Sequence, residues 1–494
     1  MRDMHKRTVY DKRNIGMMMD LYELTMANGY FTQEQQAHRV TFDVFYRNNP
    51  DRGGFAIFAG LEQILQYLEG LHFGPEDIEY LRGLGLFGEA FLEYLGNFRF
   101  TGDVYAFPEG TVMYPNEPII TVVADLVQAQ IIETELLAQV NHQSLVATKA
   151  NRIVRAAQGR TVSDFGARRA HNNDAAVLGA RACYIGGVTG TATVSAGQEF
   201  DIPVGGTMAH SWVMYYQDEL TAFRKFAEVY PDNCILLVDT YDVLGSGVPN
   251  AIRVFDEMKE KGIQSKNYGI RLDSGDLAYL SRKARALLDA AGYTDAKIVV
   301  SNSLDEYTIT SILDQGGAID SFGVGERMIT AKSDPVFGAV YKLCAVAGPD
   351  GRFQPRIKIS ETVAKITNPG LKQVYRVYNQ QGKAFADLIA GADEGLSEDA
   401  VRTGLVVIDP ERPWKKRLFR DCTAKKLQQK VMAGGVRTGE SPSVREIAQY
   451  VRHQLDNEIW DEEQRFENPH LHYIDMTNEY YNMKMKMLEG VHNG

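Results

Sequence analysis

The middle of the chain alternates short apolar runs with segments of helical periodicity, and this alternation limits the fold more than any other sequence feature. Between about residue 160 and residue 345, β-prone stretches such as NCILLVDTYD, NYGIRLDSGDL, AKIVVSNSLDE and AIDSFGVGER each end in a polar or glycine-rich cluster. One unit takes about thirty residues, as a parallel β-α-β connection requires. The pattern predicts an α/β fold with a parallel sheet, either open or closed into a barrel.

Polar residues follow the apolar runs at the point where each predicted strand ends. In parallel sheets and barrels, functional groups collect at the carboxyl edge of the strands. So many polar side chains directly after buried strands are hard to explain by packing, and we predict that they line a functional rim. The residues at this edge are Asp239, Asp242, Arg271, Asp273, Ser274, Asp276, Ser301, Asn302, Gly323 and Gly325.

The two flanks differ from this middle part. Residues 1–150 mix helical segments with β-prone stretches and turn signals, which indicates an α+β domain. Residues 350–430 return to short strand-like pieces, and the tail opens at Ser443 with the capping-box pattern SVRE, which predicts a helix.

Composition excludes several classes of protein. Lys and Arg number 53 and Asp and Glu 64, so the formal charge of −11 disfavours non-specific binding to nucleic acid or anionic membranes. We interpret the basic stretch WKKRLFRDCTAKKLQQK as a solvated face. The N-terminus lacks the apolar core of a secretory signal, and no apolar run approaches the roughly 20 residues of a membrane span.

The cysteines and the paired histidines give no metal signal. The four cysteines are widely separated and form no C-x-x-C pair, so they suggest neither a disulfide framework nor a thiolate zinc site and fit a reducing cytoplasm. His470 and His472, in NPHLHY, lack neighbouring ligand residues, so we predict surface histidines.

Two motifs at the predicted rim suit a phosphorylated sugar. RLDSGD places Arg271, Asp273, Ser274 and Gly275 at a strand end, where hydroxyl and backbone donors can meet phosphate and carboxylates can accept ribose hydroxyls or ligate Mg²⁺. FGVGE adds a glycine pair whose backbone N–H groups could cradle phosphate. An Asx turn with a surface ion pair is the alternative for RLDSGD, and G-x-G alone is weak evidence.

Two further stretches carry a candidate base site and a candidate nucleophile. SDFGARRAH sets Phe165 beside two arginines, and a guanidinium fork suits a planar carboxylate while an aromatic ring can stack on a flat heterocycle. A surface arginine pair is the alternative. VGGTMAHSWVM places His210 after a Gly-Gly-Thr turn, where it is either a buried, hydrogen-bonded histidine or a reactive one.

Taken together, these motifs resemble those of the nicotinate phosphoribosyltransferases, type II phosphoribosyltransferases related to the nicotinamide and quinolinate enzymes. The resemblance covers roughly residues 20 to 345. It is carried, in chain order, by DLYELTMANGYF, FGARRA, GTMAHS, VDTYD, GIRLDSGDL, VVSNSLDE and FGVGERMITAKSDPVFGAVYKL.

The resemblance implies a reaction, a fold and an assembly. Nicotinate and phosphoribosyl pyrophosphate would give nicotinate mononucleotide and pyrophosphate in NAD salvage, with ATP as co-substrate and Mg²⁺ held mainly through pyrophosphate. The fold would be an irregular TIM-like (β/α) barrel over residues 151–345, a discontinuous α+β domain from 1–150 and 346–430, and a mainly helical C-terminal extension at 431–494. The protein would be a cytoplasmic homodimer with shared active sites.

The resemblance also implies residue roles. His210 matches a histidine phosphorylated by ATP and, with Arg271 and Asp273, would form the catalytic group. Arg168 would clamp the base, Phe165 would stack on it, Thr207 would contact it, and Tyr22 would complete the pocket of the neighbouring subunit. The positions implied for ribose and phosphates are Asp239, Ser274, Gly275, Asn302, Gly323 and Gly325.

Two positions qualify the resemblance. Ala192 stands where the nicotinamide enzymes carry an aspartate, and without that charge an anionic ring carboxylate meets no repulsion, which favours nicotinate. Glu326 stands where many relatives have a threonine at the phosphate loop, and its role is open. The alternatives are a nicotinamide phosphoribosyltransferase and a catalytically silent barrel that binds nucleotides.

Overall fold

The computed structural model describes residues 14–362, 365–397 and 399–492. Residues 1–13, which make up most of the N-terminal stretch predicted to lack a secretory signal, lie outside the described residues. In the described part, no helix combines the length and the apolar character needed to cross a bilayer.

The helices are distributed along the whole described chain. They are α1 (Leu21–Thr32), α2 (Leu61–Gly70), α3 (Pro75–Gly83), α4 (Glu89–Gly96), α5 (Leu126–Gln130), α6 (Glu133–Ala156), α7 (Asn173–Ile185), α8 (Val194–Phe200), α9 (His210–Tyr215), α10 (Glu219–Val229), α11 (Val248–Glu260), α12 (Leu277–Ala290), α13 (Glu306–Asp314), α14 (Glu326–Ile329), α15 (Ala400–Thr403), α16 (Val444–His453) and α17 (Asn478–His492).

The strands fall into distinct sheets. They are β1 (Arg39–Phe45), β2 (Ala56–Ile57), β3 (Asp103–Ala106), β4 (Val112–Met113), β5 (Ile120–Asp125), β6 (Thr161–Asp164), β7 (Gly190–Thr191), β8 (Cys234–Leu237), β9 (Tyr268–Leu272), β10 (Lys297–Ser301), β11 (Ser321–Val324), β12 (Val340–Ala347), β13 (Phe353–Pro355), β14 (Lys372–Tyr378), β15 (Ala384–Gly391), β16 (Leu405–Ile408), β17 (Lys416–Phe419), β18 (Thr423–Lys426), β19 (Gln429–Ala433), β20 (Val436–Arg437) and β21 (Tyr473–Thr477).

The chain divides into two compact units. The first unit comprises the residues up to Asn141, Phe337–Ser441 and the residues from His453 onward, and the second comprises His142–Val336 with Pro442–Arg452. The second unit is thus formed by one long stretch and a short segment near the C-terminus. The first is built from separate chain segments, and within 431–494 strand β21 pairs with β15 and β16 of its sheet.

The second unit contains the parallel sheet that the βα alternation predicts. Its strand order is β7-β6-β11-β10-β9-β8, and every ladder between neighbours is parallel. Strand β8 is buried throughout, and β9 to β11 are mostly buried, with Lys297 at the start of β10 exposed, as is typical of a sheet covered on both faces. Within the described residues, β7 and β8 are the edges and no ladder joins them. The fold is thus mixed α/β with an open parallel sheet.

The first unit is organised around two larger sheets. The seven-stranded sheet, in the order β13-β12-β1-β5-β3-β19-β20, is antiparallel throughout. The six-stranded sheet, in the order β17-β16-β21-β15-β14-β18, is mixed because β21 runs parallel to β15. Apolar side chains of β14 and β15, among them Val377, Ala386 and Leu388, form a core that is fully buried.

A buried charge network in the first unit corrects one prediction. The side chain of His472 is fully buried, with Nδ1 3.0 Å from Glu463 Oε1 and Nε2 3.4 Å from Asp387 Oδ1. Its ring stacks on Tyr114 at a centroid distance of 3.8 Å, and Arg376 donates two hydrogen bonds to Asp387. The prediction of a surface histidine was therefore wrong for His472, because carboxylates distant in sequence supply partners that its neighbours in the chain do not.

Candidate active site

Three parallel strands bring polar residues to one edge of the sheet. Strands β8, β9 and β10 are neighbours, and their carboxyl ends lead into Asp239, Asp273 and Ser301. Because all three strands run in the same direction, these ends meet at the same edge. This is the edge at which the sequence predicts the functional rim.

His210 lies at this edge, at the first position of α9, and about two fifths of its side chain is exposed. Its Nδ1 is 3.1 Å from the hydroxyl oxygen of Thr240. Its Nε2 is 3.6 Å from Asp273 Oδ2 and 3.9 Å from Asp239 Oδ1. The ring is thus reachable from solvent and is oriented by one hydroxyl and two carboxylates.

Arg271, on β9, makes the largest number of contacts in the cluster. Its Nη1 donates to Thr207 Oγ1 at 3.1 Å and to the carbonyl of Met208 at 3.2 Å, which fixes the loop that leads to His210. Its Nη2 donates to Asp273 Oδ1 at 3.2 Å, and its Nε donates to Ser301 Oγ at 3.0 Å. Arg271 therefore connects that loop to the ends of β9 and β10.

Asp239 contributes a carboxylate oxygen that has no hydrogen-bond partner among the described residues. Its side chain is almost fully buried, and Oδ2 accepts from the Asp273 backbone N–H at 3.0 Å and from Ser274 Oγ at 2.5 Å. The other oxygen, Oδ1, is buried without a hydrogen bond and lies 3.9 Å from His210 Nε2. A buried carboxylate oxygen left in this state is a ready acceptor for a ligand donor or a cation.

Two members of the predicted rim cap the elements that follow them. Asp242 accepts hydrogen bonds from the backbone N–H groups of Leu244 and Gly245, at the start of the π-helix Val243–Gly247. Asp276 accepts from the backbone N–H of Tyr279 and begins α12. Their positions have a local structural explanation, since Asp is favoured where the first N–H groups of a helix lack partners.

Phe165 and Gly323 form one packing unit next to Arg271. A side-chain carbon at Gly323 would lie 2.4 Å from Phe165 Cε2, so the aromatic ring occupies the space that a larger residue on β11 would need. The Arg271 guanidinium lies 5.6 Å from the centroid of the same ring. Close packing against Phe165 therefore explains why glycine occupies position 323.

The two arginines of SDFGARRAH lie in a short 3₁₀ helix, Ala167–Arg169, and both are exposed. The turn before them is held by Asp164, whose buried carboxylate accepts from the Gly166 backbone N–H at 2.8 Å and from Thr191 Oγ1 at 2.7 Å. Burial raises the pKa of Asp164, while these two hydrogen bonds oppose the rise. Arg168 is therefore presented to solvent from a fixed turn at the end of β6.

Ser274, Gly275 and Asn302 lie in turns at the same edge. Gly275 has a φ of +79°, a conformation that glycine adopts without strain. Asn302 follows β10 with a φ of +89°, and Ser303 has a φ of +48°. Gly325 precedes α14 and lies against the backbone of Phe165.

Glu326 is neutralised by a neighbouring lysine. Its carboxylate accepts from Lys332 Nζ at 2.6 Å, and this hydrogen bond, together with the positive charges of Lys332, Arg169 and Arg327, lowers the pKa of Glu326. An ionised carboxylate at this position is therefore compensated within its own helix and the turn that follows it.

Ala192 and Tyr22 complete the predicted set. Ala192 is exposed directly after β7, and its backbone N–H donates to the carbonyl of Asp164 at 2.8 Å. Tyr22 lies on α1 in the first unit and is 44% exposed. Partial burial and the facing carboxylate of Glu133 raise the pKa of Tyr22, so its hydroxyl keeps its proton at neutral pH.

An aromatic cleft of about 620 Å³ borders the loop that precedes His210. Thr207 belongs both to its wall and to the hydrogen bonds of Arg271. The lining residues are Gly206, Thr207, Met208, Ala209, Ser211, Trp212, Tyr215, Phe226, Tyr230 and Asn233.

Sequence reasoning missed the hydroxyl of Thr240, and it placed Ser301 on the predicted rim without giving it a role. Thr240 contacts His210, and Ser301 contacts both Arg271 and Asp273. Thr240 directly follows Asp239 in VDTYD, so adjacency to a candidate residue was the available signal for it.

Models of known protein families match three stretches of the chain. Residues 17–141 match the nicotinate phosphoribosyltransferase (NAPRTase) N-terminal domain, residues 161–348 the nicotinate phosphoribosyltransferase (NAPRTase) family, and residues 371–484 the nicotinate phosphoribosyltransferase C-terminal domain. Together these matches cover most of the sequence.

Individual proteins and a solved structure are similar over nearly the full length. The nicotinate phosphoribosyltransferase of Bacillus subtilis is 43% identical over 479 residues, covering 97% of this chain and 96% of that protein. That of Dictyostelium discoideum is 32% identical, covering 94% of this chain and 87% of that protein. The crystal structure of human nicotinic acid phosphoribosyltransferase superposes with a TM-score of 0.83 at 26% identity, covering 96% of this chain and 100% of that one.

Proposed function

The chain belongs to the nicotinate phosphoribosyltransferase family, and from that premise we propose that it transfers the phosphoribosyl group of phosphoribosyl pyrophosphate to nicotinate. The products are nicotinate mononucleotide and pyrophosphate, a step of NAD biosynthesis by salvage, and ATP is the co-substrate. The observation that carries the proposal is the cluster of His210, Arg271, Asp239 and Asp273 at the carboxyl edge of the parallel sheet.

His210 is the proposed phosphoryl acceptor. A ring nitrogen attacks the γ-phosphorus of ATP, the N–P bond forms, and the bond from that phosphorus to the bridging oxygen breaks as ADP leaves. Partial exposure of the ring and its contact with Thr240 support this role, because the acceptor must be both accessible and oriented. The phosphoryl group then places new charge beside the loop at 206–209, where it can order the groups around the substrate.

Transfer of the phosphoribosyl group itself needs electrostatic help more than a strong base. Positive charge develops at the anomeric carbon while pyrophosphate leaves, so the fixed carboxylates of Asp239 and Asp273 favour the transition state near the ribose. Arg271, bound to the loop and to Asp273, faces the same space and would bind the phosphates. Ser274, Gly275, Asn302, Gly323 and Gly325 are the remaining proposed contacts to ribose and phosphate.

Mg²⁺ fits the donor set of this edge. The Oδ1 of Asp239, which has no hydrogen bond, and the Oδ2 of Asp273 are hard oxygen donors, both within 4 Å of His210 Nε2. When bound, Mg²⁺ would neutralise charge on the pyrophosphate. Among the described residues no group of three or more His, Cys, Asp or Glu side chains forms a metal cage, so we propose that substrate phosphates supply most ligands.

Nicotinate would bind between Arg168, Phe165 and Thr207. The guanidinium of Arg168 can form two parallel hydrogen bonds with the ring carboxylate, and Phe165 offers a fixed aromatic face. Ala192 supplies no opposing charge at the end of β7. In a homodimer, the protonated hydroxyl of Tyr22 would complete the pocket of the neighbouring subunit.

We further propose that the open parallel sheet is an incomplete, irregular TIM-like barrel. The continuous parallel order of its six strands and the functional residues at their carboxyl ends support this description. A cytoplasmic location fits the four cysteines, which are all buried thiols.

The test is mononucleotide formation from phosphoribosyl pyrophosphate and Mg²⁺ with nicotinate or nicotinamide, each with and without ATP. We expect product from nicotinate, increased by ATP, and retention of weak transfer without ATP stimulation in His210→Ala. Product from nicotinamide would contradict the role of Ala192. Binding of phosphoribosyl pyrophosphate without turnover of either base would replace the proposal with a silent nucleotide-binding protein.

A further inference from the structure

We propose that Ser301 is a positioning residue, which aims the carboxylate of Asp273 at His210 and thereby sets the efficiency of the ATP-coupled step. The proposal rests on the function proposed above, and it concerns a side chain that the resemblance does not assign. Ser301 is the last residue of β10 and is 3% exposed.

The Ser301 hydroxyl uses its donor and one acceptor position within the cluster. It donates to Asp273 Oδ1 and accepts from Arg271 Nε at 3.0 Å. The other oxygen of the same carboxylate, Oδ2, is the atom 3.6 Å from His210 Nε2. Holding Oδ1 therefore determines where Oδ2 points.

When the Ser301 hydroxyl is removed, the contacts that remain to Arg271 and to Asp273 decide which of the two side chains moves. Arg271 keeps its bonds to Thr207, Met208 and Asp273, and it also keeps the ring of Phe165. The Asp273 carboxylate keeps one hydrogen bond within the described structure, from Arg271 Nη2 at 3.2 Å. Loss of the hydroxyl therefore frees the carboxylate and leaves the guanidinium in place.

The backbone after Ser301 supports the same assignment. Asn302 and Ser303 both have positive φ angles, +89° and +48°, which residues other than glycine adopt uncommonly, although asparagine does so more often than most. Unfavourable backbone of this kind persists only where surrounding contacts enforce it, and it concentrates at functional sites. The end of β10 is thus held in a geometry that local preference opposes.

Three substitutions and a matched control separate positioning from packing. Ser301→Ala removes the hydroxyl, Ser301→Thr keeps it, and Ser301→Cys fills a similar volume with a weak donor. Ser281→Ala is the control, because Ser281 is also fully buried in the second unit and its hydroxyl also donates once, to Ala278, and accepts once, from Ala318.

The assay compares ATP-coupled and ATP-independent formation of nicotinate mononucleotide in all variants. In Ser301→Ala we expect kcat of the coupled reaction to fall about ten-fold or more, as loss of a hydrogen bond to a charged group implies, with KM for phosphoribosyl pyrophosphate within about three-fold. ATP-independent transfer also falls, because it uses the Asp273 carboxylate near the ribose, but it falls less than the coupled reaction, because it does not use the contact with His210. Ser301→Thr keeps the coupled rate of the unsubstituted protein, and Ser301→Cys does not. Ser281→Ala keeps both rates and loses about as much thermal stability as Ser301→Ala.

A parallel loss of coupled and uncoupled rates in Ser301→Ala, or full rescue by cysteine, overturns the proposal. A crystal structure of Ser301→Ala gives a readout that needs no activity, and we expect the Asp273 carboxylate to turn away from His210 while Arg271 keeps its place. An unchanged Asp273 side chain overturns the positioning role. Absence of product from the unsubstituted protein refutes the proposed function instead, and the crystal structure still decides the positioning.

Discussion

Replacing His472 by phenylalanine tests the buried charge network of the first unit. The imidazole lies between Glu463 and Asp387 and stacks on Tyr114 with an interplanar angle of 3°. Phenylalanine keeps a flat ring of similar size against Tyr114 and removes both nitrogen atoms. The substitution therefore isolates the polar contacts from the packing.

The expected loss of stability follows from these contacts. Glu463 keeps the hydroxyl of Tyr114 as a donor, at 2.6 Å, and Asp387 keeps Arg376. Both carboxylates nevertheless lose a cation in a site without water access, and removing one partner of a buried pair costs about 3–5 kcal/mol. At roughly 2 °C for each kcal/mol in a unit of this size, Tm falls by about 6–10 °C.

The loss also depends on pH in a defined direction. Burial alone would lower the pKa of His472, but the facing carboxylates of Asp387 and Glu463 raise it overall. A raised pKa in the folded state means that the stabilisation is complete below the ordinary histidine pKa of about 6.5 and disappears as pH rises through the folded value. The Tm difference between the native protein and His472→Phe should therefore be largest near pH 6 and shrink towards pH 9.

Differential scanning calorimetry of the full chain across this pH range measures both the fall in Tm and its dependence on pH. His470→Phe is the matched control, because His470 lies two residues away, is exposed, and contacts Tyr473 edge to face. A Tm of His472→Phe within 1–2 °C of the control, or a difference that grows with pH, would refute the reasoning.

Three further predictions concern the second unit. Arg168→Ala should raise KM for nicotinate at least about ten-fold through loss of a charge-assisted fork, and Arg169→Ala should not, so equal effects would contradict the clamp. Lys149→Met should lower stability by about 3 kcal/mol in calorimetry, because it leaves the buried carboxylate of Glu306 with one cation fewer; a change below 1 kcal/mol would contradict this. Gly323→Ala should displace the Phe165 ring and raise KM for nicotinate, and an unchanged KM with an unmoved ring in a crystal structure would count against the packing explanation.

Much of the fold followed from local pattern. The apolar runs of β8 to β11 are four or five residues long and are separated by helical segments, so their length and spacing predict parallel neighbours. The structure pairs these four strands in that sequential order. Closure of the sheet could not be predicted in the same way, since it depends on whether β7 and β8, which lie at opposite edges of the sheet, form a ladder.

Candidate site residues were found because strand ends coincide with polar clusters. Asp239 and Asp273 each stand one or two residues after a buried run, and parallel strands carry such positions to one edge. The same rule also selected Asp242 and Asp276, which the structure shows to be caps. In the sequence, a carboxylate that caps a helix after a strand cannot be distinguished from one that belongs to the candidate site.

The sequence by itself determined the parallel sheet, the edge at which polar groups collect and the family to which the chain belongs, because these depend on order and spacing along the chain. Only the tertiary structure decided which groups touch. It set the Ser301 hydroxyl between Arg271 and Asp273, and it buried His472 against Asp387. Such contacts join residues tens of positions apart, and their geometry is set by packing of whole elements, which no local pattern encodes.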